Sequence, residues 1–248
     1  MRFDVITLFP ELFAPFLTVG INRRAFEAKD GISLVDVRLW NPRDFAQGTY
    51  RRIDDRPFGG GPGMVMMAEP LRLCLEVIQT ERNPTKSLAT KAPVVLFSPI
   101  GQKIDHPSVE KWSQSEGAVL VCGRYEGIDQ RFIDAYIDTQ ISLGDFVLSG
   151  GEIAAMALLD AVARLQPGVL SDQDSHHLDS FNPALDGLLD CPHYTRPEIW
   201  EDQGVAKTVP DVLLSGHHVN IERWRQEQRL KLTTALRPDL LEKSLGHR

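Results

Sequence analysis

Residues 142–152 combine three glycines with the start signal of a helix, a combination that could hold a ligand. Ser149 and Glu152 have the S-x-x-E spacing of a capping box, in which both side chains satisfy free N–H groups of a first helical turn. Gly150 and Gly151 leave main-chain groups uncovered, so an adenine or a ribose could approach them closely. The alternative is a tight strand-to-helix turn without a ligand.

Two further loops carry glycines, at residues 98–101 and 123–129, and each follows an apolar run that predicts a strand. In an open α/β sheet such loops converge at the carboxyl edge, where ligands bind. The sequence contains neither G-x-G-x-x-G nor G-x-x-x-x-G-K-[ST], so neither a Rossmann dinucleotide site nor a P-loop is supported. Together with residues 142–152, these loops predict a pocket at one sheet edge.

The elements that must position these loops alternate along the chain. Strands are predicted at residues 3–9, 32–39, 94–98, 118–122 and 139–143, and helices at 68–82, 107–116, 128–135 and 152–165, with a weaker helix at 10–26. This alternation predicts an α/β domain with a mainly parallel sheet. Because helix 152–165 is apolar nearly all round, we expect it to be buried in a core or between subunits.

Composition excludes several classes of protein. The 248 residues are 42% hydrophobic and 25% charged, which is typical of a soluble globular chain with one large or two unequal domains. No apolar run reaches about 18 residues, so we expect neither a signal peptide nor a membrane span, and a cytoplasmic protein. Three widely spaced cysteines indicate neither a disulfide framework nor a cysteine zinc site. The net charge of −7 argues against nonspecific coating of nucleic acid, although a local basic patch can bind a folded RNA.

The C-terminal part has a different character. Residues 171–177 are polar and aperiodic, which indicates a linker or a mobile loop. A helix is predicted at 219–236, with an apolar face marked by Ile221, Trp224 and Leu232 and with basic residues Arg223, Arg225, Arg229 and Lys231 over much of the rest. These basic residues either contact an RNA backbone or form a solvated surface. A separate small helical domain accounts for this part most simply.

Four blocks of sequence, at residues 55–64, 121–129, 144–152 and 188–197, resemble the bacterial tRNA (guanine-N1)-methyltransferases that modify position 37. The resemblance runs from the first strand to the C-terminal basic helix. It implies a knotted parallel-sheet methyltransferase domain of the SPOUT class at 1–170, a linker or lid at 171–186 and a helical tRNA-binding domain at 187–248. Pattern alone would predict an unknotted sheet, because true knots are very rare.

The resemblance also implies S-adenosylmethionine as the methyl donor. The residues carried over as its binding site are Leu96, Phe97, Ser98, Pro99, Gly123, Tyr125, Glu126, Leu143, Gly144, Phe146, Leu148, Gly150 and Gly151. Adenine needs a flat apolar slot and a few backbone hydrogen bonds, and glycine-rich turns beside leucines can supply both. For Leu143, Phe146 and Leu148 the alternative is plain core packing.

Catalysis at guanine N1 requires a base, because this nitrogen carries a proton at neutral pH. By resemblance Asp179 is that base, and its alternative role is to cap or solvate a loop. Arg164 is chosen to stabilise negative charge on guanine O6, and its alternative is an i,i+4 pair with Asp160. Asp190 is carried over as a substrate-side residue, with helix capping as the alternative. Glu126 is predicted to hold Mg²⁺ or to orient the cofactor.

The partners implied are tRNA and a second copy of the chain. The target guanine must leave its stack to reach a pocket, and the resemblance implies a homodimer in which the linker and C-terminal domain of one subunit close over the pocket of the other. His176 and His177 would then lie in the lid, and the histidine spacing does not indicate a zinc site. Departures from relatives at Leu96, Ala154 and residues 182–185 concern pocket and lid geometry rather than chemistry. The rival functions are a SPOUT ribose methyltransferase acting on RNA and a noncatalytic RNA-binding protein.

Overall fold

The computed structural model describes residues 1–29, 31–84, 91–170 and 175–241. It divides into two compact units, Met1–Ser171 and Asp172–Arg248. Residues 171–174 of the predicted linker and the side chain of His176 lie outside what the structure describes. Among the described helices, none has the length and apolar character needed to cross a membrane.

The first unit is built on a five-stranded parallel sheet, as the alternating pattern predicts. The strands of this unit are β1 (Arg2–Ile6), β2 (Asp36–Trp40), β3 (Asp54–Asp55), β4 (Val65–Met66), β5 (Val94–Lys103), β6 (Val119–Val121) and β7 (Thr139–Ser142). The sheet order is β2-β1-β6-β5-β7, and β3 and β4 form a separate short antiparallel pair. The carboxyl ends of β5, β6 and β7 are therefore neighbours at one edge.

The helices of this unit are α1 (Phe13–Thr18), α2 (Arg23–Phe26), α3 (Ala68–Arg82), α4 (His106–Ser113), α5 (Gln130–Tyr136) and α6 (Glu152–Arg164). The bounds of α3 agree with its prediction. The weaker helix predicted at residues 10–26 is divided into pieces: a 3₁₀ turn at Pro10–Leu12 leads into α1, and the chain then turns at Gly20, where φ is +82°, before α2. Only glycine adopts this conformation readily, so the helix cannot continue through it.

Apolar side chains cover both faces of the sheet. On one face Phe3 and Val5 join the fully buried Leu158 and Leu159 of α6, while Ile6 joins a second cluster on the other face. Alternating residues of a strand point to opposite faces, which explains why one strand serves both clusters. The apolar character of α6 is therefore explained by burial within its own unit.

Strand β5 is longer than predicted and contains a bulge. Ile141 of β7 pairs with Phe97 and again with Gln102, so residues 98–101 leave the ladder and then return to it. A side chain at Gly101 would lie 2.5 Å from the main chain of Gln140 and Ile141, which requires glycine at the point of return. The loop predicted after a five-residue strand is instead a bulge within a ten-residue strand.

The second unit contains 3₁₀ turns at Ser175–Leu178 and Pro183–Leu185, strands β8 (Ile199–Asp202) and β9 (Val205–Thr208), and helices α7 (Asp211–Leu214) and α8 (His218–Leu236). The hairpin formed by β8 and β9 was not predicted. Its two-residue loop places Gln203 and Gly204 at φ +51° and +78°, which is the geometry of a type I′ turn without the usual Asn-Gly signal.

Helix α8 has the predicted bounds to within a residue, and Ile221, Trp224 and Leu232 are half-buried on one face. Its most deeply buried residues, however, are polar: Arg229 is 2% exposed and Thr233 is 0% exposed. The prediction that Arg229 belongs to an exposed basic surface is wrong. Its guanidinium instead donates to Glu222 Oε1 at 2.7 Å and to Gln226 Oε1 at 3.3 Å.

Candidate active site

A cavity of about 250 Å³ lies at the carboxyl edge of β5, β6 and β7. Its walls are the segments that follow β6 and β7 and, from β5, residues 96–99, which include the start of the bulge. Every residue predicted to bind the cofactor lines this cavity, namely Leu96, Phe97, Ser98, Pro99, Gly123, Tyr125, Glu126, Leu143, Gly144, Phe146, Leu148, Gly150 and Gly151. The structure thus brings these residues together, while their contact with a cofactor stays a prediction.

The capping box predicted at Ser149 and Glu152 is wrong. The residue before α6 is Gly151, and no side chain caps the helix there. The carboxylate of Glu152, 1% exposed, instead accepts hydrogen bonds from Thr7 Oγ1 at 2.9 Å and from Arg124 Nε at 3.1 Å. A buried carboxylate requires a charged or hydrogen-bonding partner, and this requirement outweighs capping of a helix end.

Arg124 joins two walls of the cavity. A second nitrogen of its guanidinium lies 2.9 Å from Glu152 Oε2, and a third donates to the carbonyl oxygen of Ser149 at 3.1 Å. Its guanidinium carbon also lies 4.5 Å from the centre of the Phe9 ring. Sequence reasoning did not single out Arg124, although a glutamate opening an otherwise apolar helix indicates that a cation must lie nearby.

The ion pair explains the first glycine of the turn, and the main chain of a neighbouring loop explains the second. A Cβ at residue 150 would collide with the side chains of Arg124 and Glu152. At residue 151 it would lie 2.8 Å from the Cα of Cys122, which is a main-chain atom that cannot move aside cheaply. Gly151 also donates its N–H to the carbonyl of Gly123 at 3.1 Å. The glycine pair therefore permits close approach between two loops of the cavity wall.

The loop after β6 is fixed by main-chain hydrogen bonds to the region of β4. Glu126 N–H donates to Met64 O and Met66 N–H donates to Gly127 O, both at 2.9 Å. Tyr125 adopts the left-handed conformation with φ +61°, which is uncommon for a bulky residue and is held by its surroundings. The exposed carboxylate of Glu126 packs against Gly63. The loop therefore presents its side chains from a fixed backbone.

Magnesium binding at Glu126 stays a prediction. Within the described parts of the chain, no three His, Cys, Asp or Glu side chains come together to hold a metal ion. An exposed carboxylate at the cavity can still complete the coordination of an ion whose other ligands are water and substrate oxygens, which is the usual arrangement for Mg²⁺.

The solvent exposure of the apolar lining residues ranges from buried to exposed. Leu96 and Phe97 are 4% and 8% exposed and belong to the two core clusters. Leu143 and Leu148 are half-buried, and Phe146 is 55% exposed. Plain core packing therefore does not account for Phe146.

Arg164 lies away from this cavity. It occupies the last residue of α6 and is half-buried, whereas Ala154 of the first turn lines the cavity. At about 1.5 Å per residue, the two positions are about 15 Å apart along the helix axis. Among the described residues, those lining the cavity do not include Arg164. The alternative partner Asp160 accepts a hydrogen bond from Asn22.

The two predicted carboxylates belong to the second unit. Asp179 is half-buried and follows the 3₁₀ turn at Ser175–Leu178. Asp190 accepts hydrogen bonds from the N–H of Cys191 at 2.7 Å and from the ring of His193 at 2.8 Å. Burial raises the pKa of Asp190, but the hydrogen bonds from Cys191 and His193 outweigh burial and hold this pKa below its ordinary value. Asp190 is therefore an ionised acceptor at neutral pH, and the segment around it is irregular rather than the start of a helix.

The chain is similar to known proteins over nearly its whole length. The family model described as tRNA (Guanine-1)-methyltransferase TrmD matches residues 1–243. The tRNA (guanine-N(1)-)-methyltransferase of Polaromonas sp. is 70% identical over 249 residues, which cover 100% of this chain and 92% of that protein. The proteins of the same description from Albidiferax ferrireducens and Paracidovorax citrulli are 70% and 66% identical and align with 98% of this chain and with 93% and 91% of their own lengths. By this match, the chain belongs to the tRNA (guanine-1)-methyltransferase TrmD family.

Proposed function

We propose that this protein transfers a methyl group from S-adenosylmethionine to N1 of the guanine at position 37 of tRNA. Family membership supports the chemistry and the RNA substrate. The cavity is the observation that best supports a cofactor site in this protein. Its walls contain every residue that the family resemblance implies for cofactor binding.

The residues at the cavity fit an adenosyl group. Its volume of about 250 Å³ is near the lower end, about 300 Å³, of the usual range for small-molecule sites. Leu96, Leu143 and Leu148 line the cavity and offer apolar surface for a flat base, and main-chain groups of the glycine-rich turns beside them would supply hydrogen bonds to its polar edge. When bound, the cofactor would supply a methyl group on a positively charged sulfur: attack by an electron-rich nitrogen would break the methyl–sulfur bond, and the sulfur would leave as a neutral thioether.

Asp179 is the proposed general base. Its carboxylate accepts the N1 proton of guanine, so that the nitrogen lone pair is free to form the bond to the methyl group. Loss of the proton places negative charge on O6, and the parallel donors of the Arg164 guanidinium stabilise that charge. Asp190, held ionised by its hydrogen bonds, would accept hydrogen bonds from the substrate side.

The position of Arg164 supports a homodimer. Arg164 is about 15 Å along α6 from the residue that lines the cavity of its own chain, so it would serve the cavity of a second copy. In such a dimer the second unit of one subunit closes over the cavity of the other. We also propose the SPOUT knot, which is compatible with the sheet order, since the chain passes from β6 over β5 to reach β7. Glu126 would hold Mg²⁺, and the protein would act in the cytoplasm, where its tRNA substrate is.

The test is methyl transfer from labelled S-adenosylmethionine to a tRNA transcript with guanine at position 37, compared with the same transcript carrying adenine there. Transfer to the guanine form alone, with the label recovered as N1-methylguanine after nuclease digestion, is the expected result. Label recovered as a 2′-O-methylated nucleoside would establish the rival ribose methyltransferase. Binding of tRNA without any transfer and without cofactor affinity would establish a noncatalytic RNA-binding protein.

A further inference from the structure

We propose that Thr233 of α8 is a positioning residue for the candidate catalytic carboxylates Asp179 and Asp190. The proposal rests on the proposed function, because only a reaction that needs these carboxylates makes their positioning measurable. It assigns to α8 a role beyond the proposed RNA contact, and it depends only on contacts within the second unit.

The segments that carry the two carboxylates are fastened to each other. The N–H of Asp190 donates to Ser180 Oγ at 2.9 Å, and the N–H of Phe181 donates to the carbonyl oxygen of Leu188 at 2.9 Å. Ser180 directly follows Asp179 in the chain. Displacement of either segment therefore displaces the other, and both carboxylates move together.

Helix α8 holds this pair of segments through a neutral acceptor. The N–H of Leu189 donates to Thr233 Oγ1 at 3.0 Å, and Thr233 is 0% exposed. A threonine in a helix usually bonds a carbonyl of its own preceding turn or faces water. Here its hydroxyl oxygen accepts from a segment more than forty residues earlier in the chain. If this acceptor is removed, a partly buried N–H loses its partner, and the segment has reason to shift.

A cation one turn earlier on α8 reinforces the contact. Arg229 and Thr233 are four residues apart and share one face of the helix, and both are almost completely buried. Arg229 Nε lies 3.7 Å from Asp190 Oδ1, while another of its nitrogens is engaged by Glu222. A helix surface that only met solvent or RNA phosphates would not bury these two residues. We infer that this face of α8 supports the carboxylate segments.

The experiment compares Thr233→Val with Thr233→Ser by single-turnover methyl transfer at saturating cofactor and tRNA. Valine keeps the shape of threonine and removes the acceptor, whereas serine keeps the acceptor and loses only a methyl group. We expect Thr233→Val to slow the transfer step about 10- to 100-fold, as small misplacements of catalytic groups do. We expect Thr233→Ser to stay near the wild-type rate, and both variants to bind tRNA and cofactor as the wild type does.

A second variant keeps the test decisive if Thr233→Val does not fold. Ser180→Ala removes the other acceptor in the same series of hydrogen bonds, so it should also slow transfer without weakening binding. If both single variants fold, their effects should not add in the double variant, because each breaks the same support. Equal slowing by valine and serine, a loss confined to tRNA affinity, or wild-type rates in Thr233→Val or Ser180→Ala would overturn the proposal.

These outcomes are separate from a failure of the proposed function. If the wild-type protein forms no N1-methylguanine, the function itself is wrong. If the wild type forms it and the Thr233→Val and Ser180→Ala variants form it equally fast, only the positioning role is wrong.

Discussion

The cavity of the first unit and the carboxylate segments of the second unit are constructed in different ways. The cavity is made by the bulged part of β5 and by turns that directly follow β6 and β7, so its residues occur in short blocks of sequence. The segments that carry Asp179 and Asp190 are connected by a hydrogen bond to the side chain of Ser180, and the second segment is also bonded to Thr233, which lies more than forty residues away. Sites built from consecutive loops are visible in local sequence, whereas the supports of isolated side chains are not.

Of the substitutions that test this difference between the two regions, Asp179→Asn should have the largest effect. Loss of the base should reduce methyl transfer about 100- to 10,000-fold, because an amide cannot accept the N1 proton, while cofactor binding in the cavity stays unchanged. Single-turnover rates and calorimetric cofactor titrations measure the two effects separately. A variant that retained its rate would remove Asp179 from the mechanism, and one that lost cofactor affinity would contradict the separation of roles.

Gly151→Ala, in contrast to Asp179→Asn, should change the affinity of the cavity for the cofactor. The new Cβ would lie 2.8 Å from the Cα of Cys122, so the turn must move and cofactor affinity should fall about tenfold or more. Gly123→Ala is the matched comparison, since its Cβ would meet the side chain of Ile128 at an ordinary 3.5 Å and should cost less affinity. Equal losses of cofactor affinity, measured by calorimetry, would contradict the geometric explanation.

The two parts also differ in how far sequence alone predicted them. The parallel sheet, helix α3 and the position of the pocket follow from periodicity and from glycine-bearing loops, because each depends on neighbours in sequence. The individual residues of the cavity lining were implied by the family resemblance. The partners of Glu152 could not be derived in this way. Its spacing from Ser149 satisfies a local capping rule, but Arg124 and Thr7 offer stronger partners that only the sheet brings near.

Arg229 illustrates the same limit in the second unit. Composition assigns an arginine on a basic helix to the surface, and only the folded unit reveals the partners that bury it. The hairpin of β8 and β9 was missed because its turn carries Gln-Gly, and its strands are exposed and do not show a clear alternation of apolar and polar residues.

A comparison of two arginines on α8 should show whether a buried arginine stabilises the fold while an exposed one contacts tRNA. Arg229→Ala removes a buried guanidinium and should lower the free energy of unfolding by about 1–3 kcal/mol. Arg223→Ala, at an exposed position, should leave stability unchanged and weaken tRNA binding, lowering the slope of log affinity against log salt by about one. Chemical denaturation and binding titrations at several salt concentrations measure the two effects. Similar behaviour of both variants would contradict the distinction between support and contact.

The smallest effect concerns pH and Asp190. Because the pKa of Asp190 is lower in the folded protein, its ionised form contributes stability above the ordinary pKa of 3.8, and this contribution is lost as pH falls through the folded pKa. Asp190→Asn should therefore be less stable at neutral pH and should lose less stability between about pH 4 and pH 2. Urea midpoints measured across this range should converge for the two proteins. Parallel curves would indicate that the carboxylate of Asp190 is not stabilised by folding.

The ion pair between Arg124 and Glu152 also constrains how this sequence can change over evolutionary time. The guanidinium occupies the space that a side chain at residue 150 would need. A chain that exchanged Gly150 for any other residue would have to displace both side chains of the pair, because a Cβ there would meet Glu152 as well as Arg124. Positions 124, 150 and 152 are therefore coupled, although 25 residues separate the first two, and we expect a substitution at one of them to be tolerated only together with changes at the others.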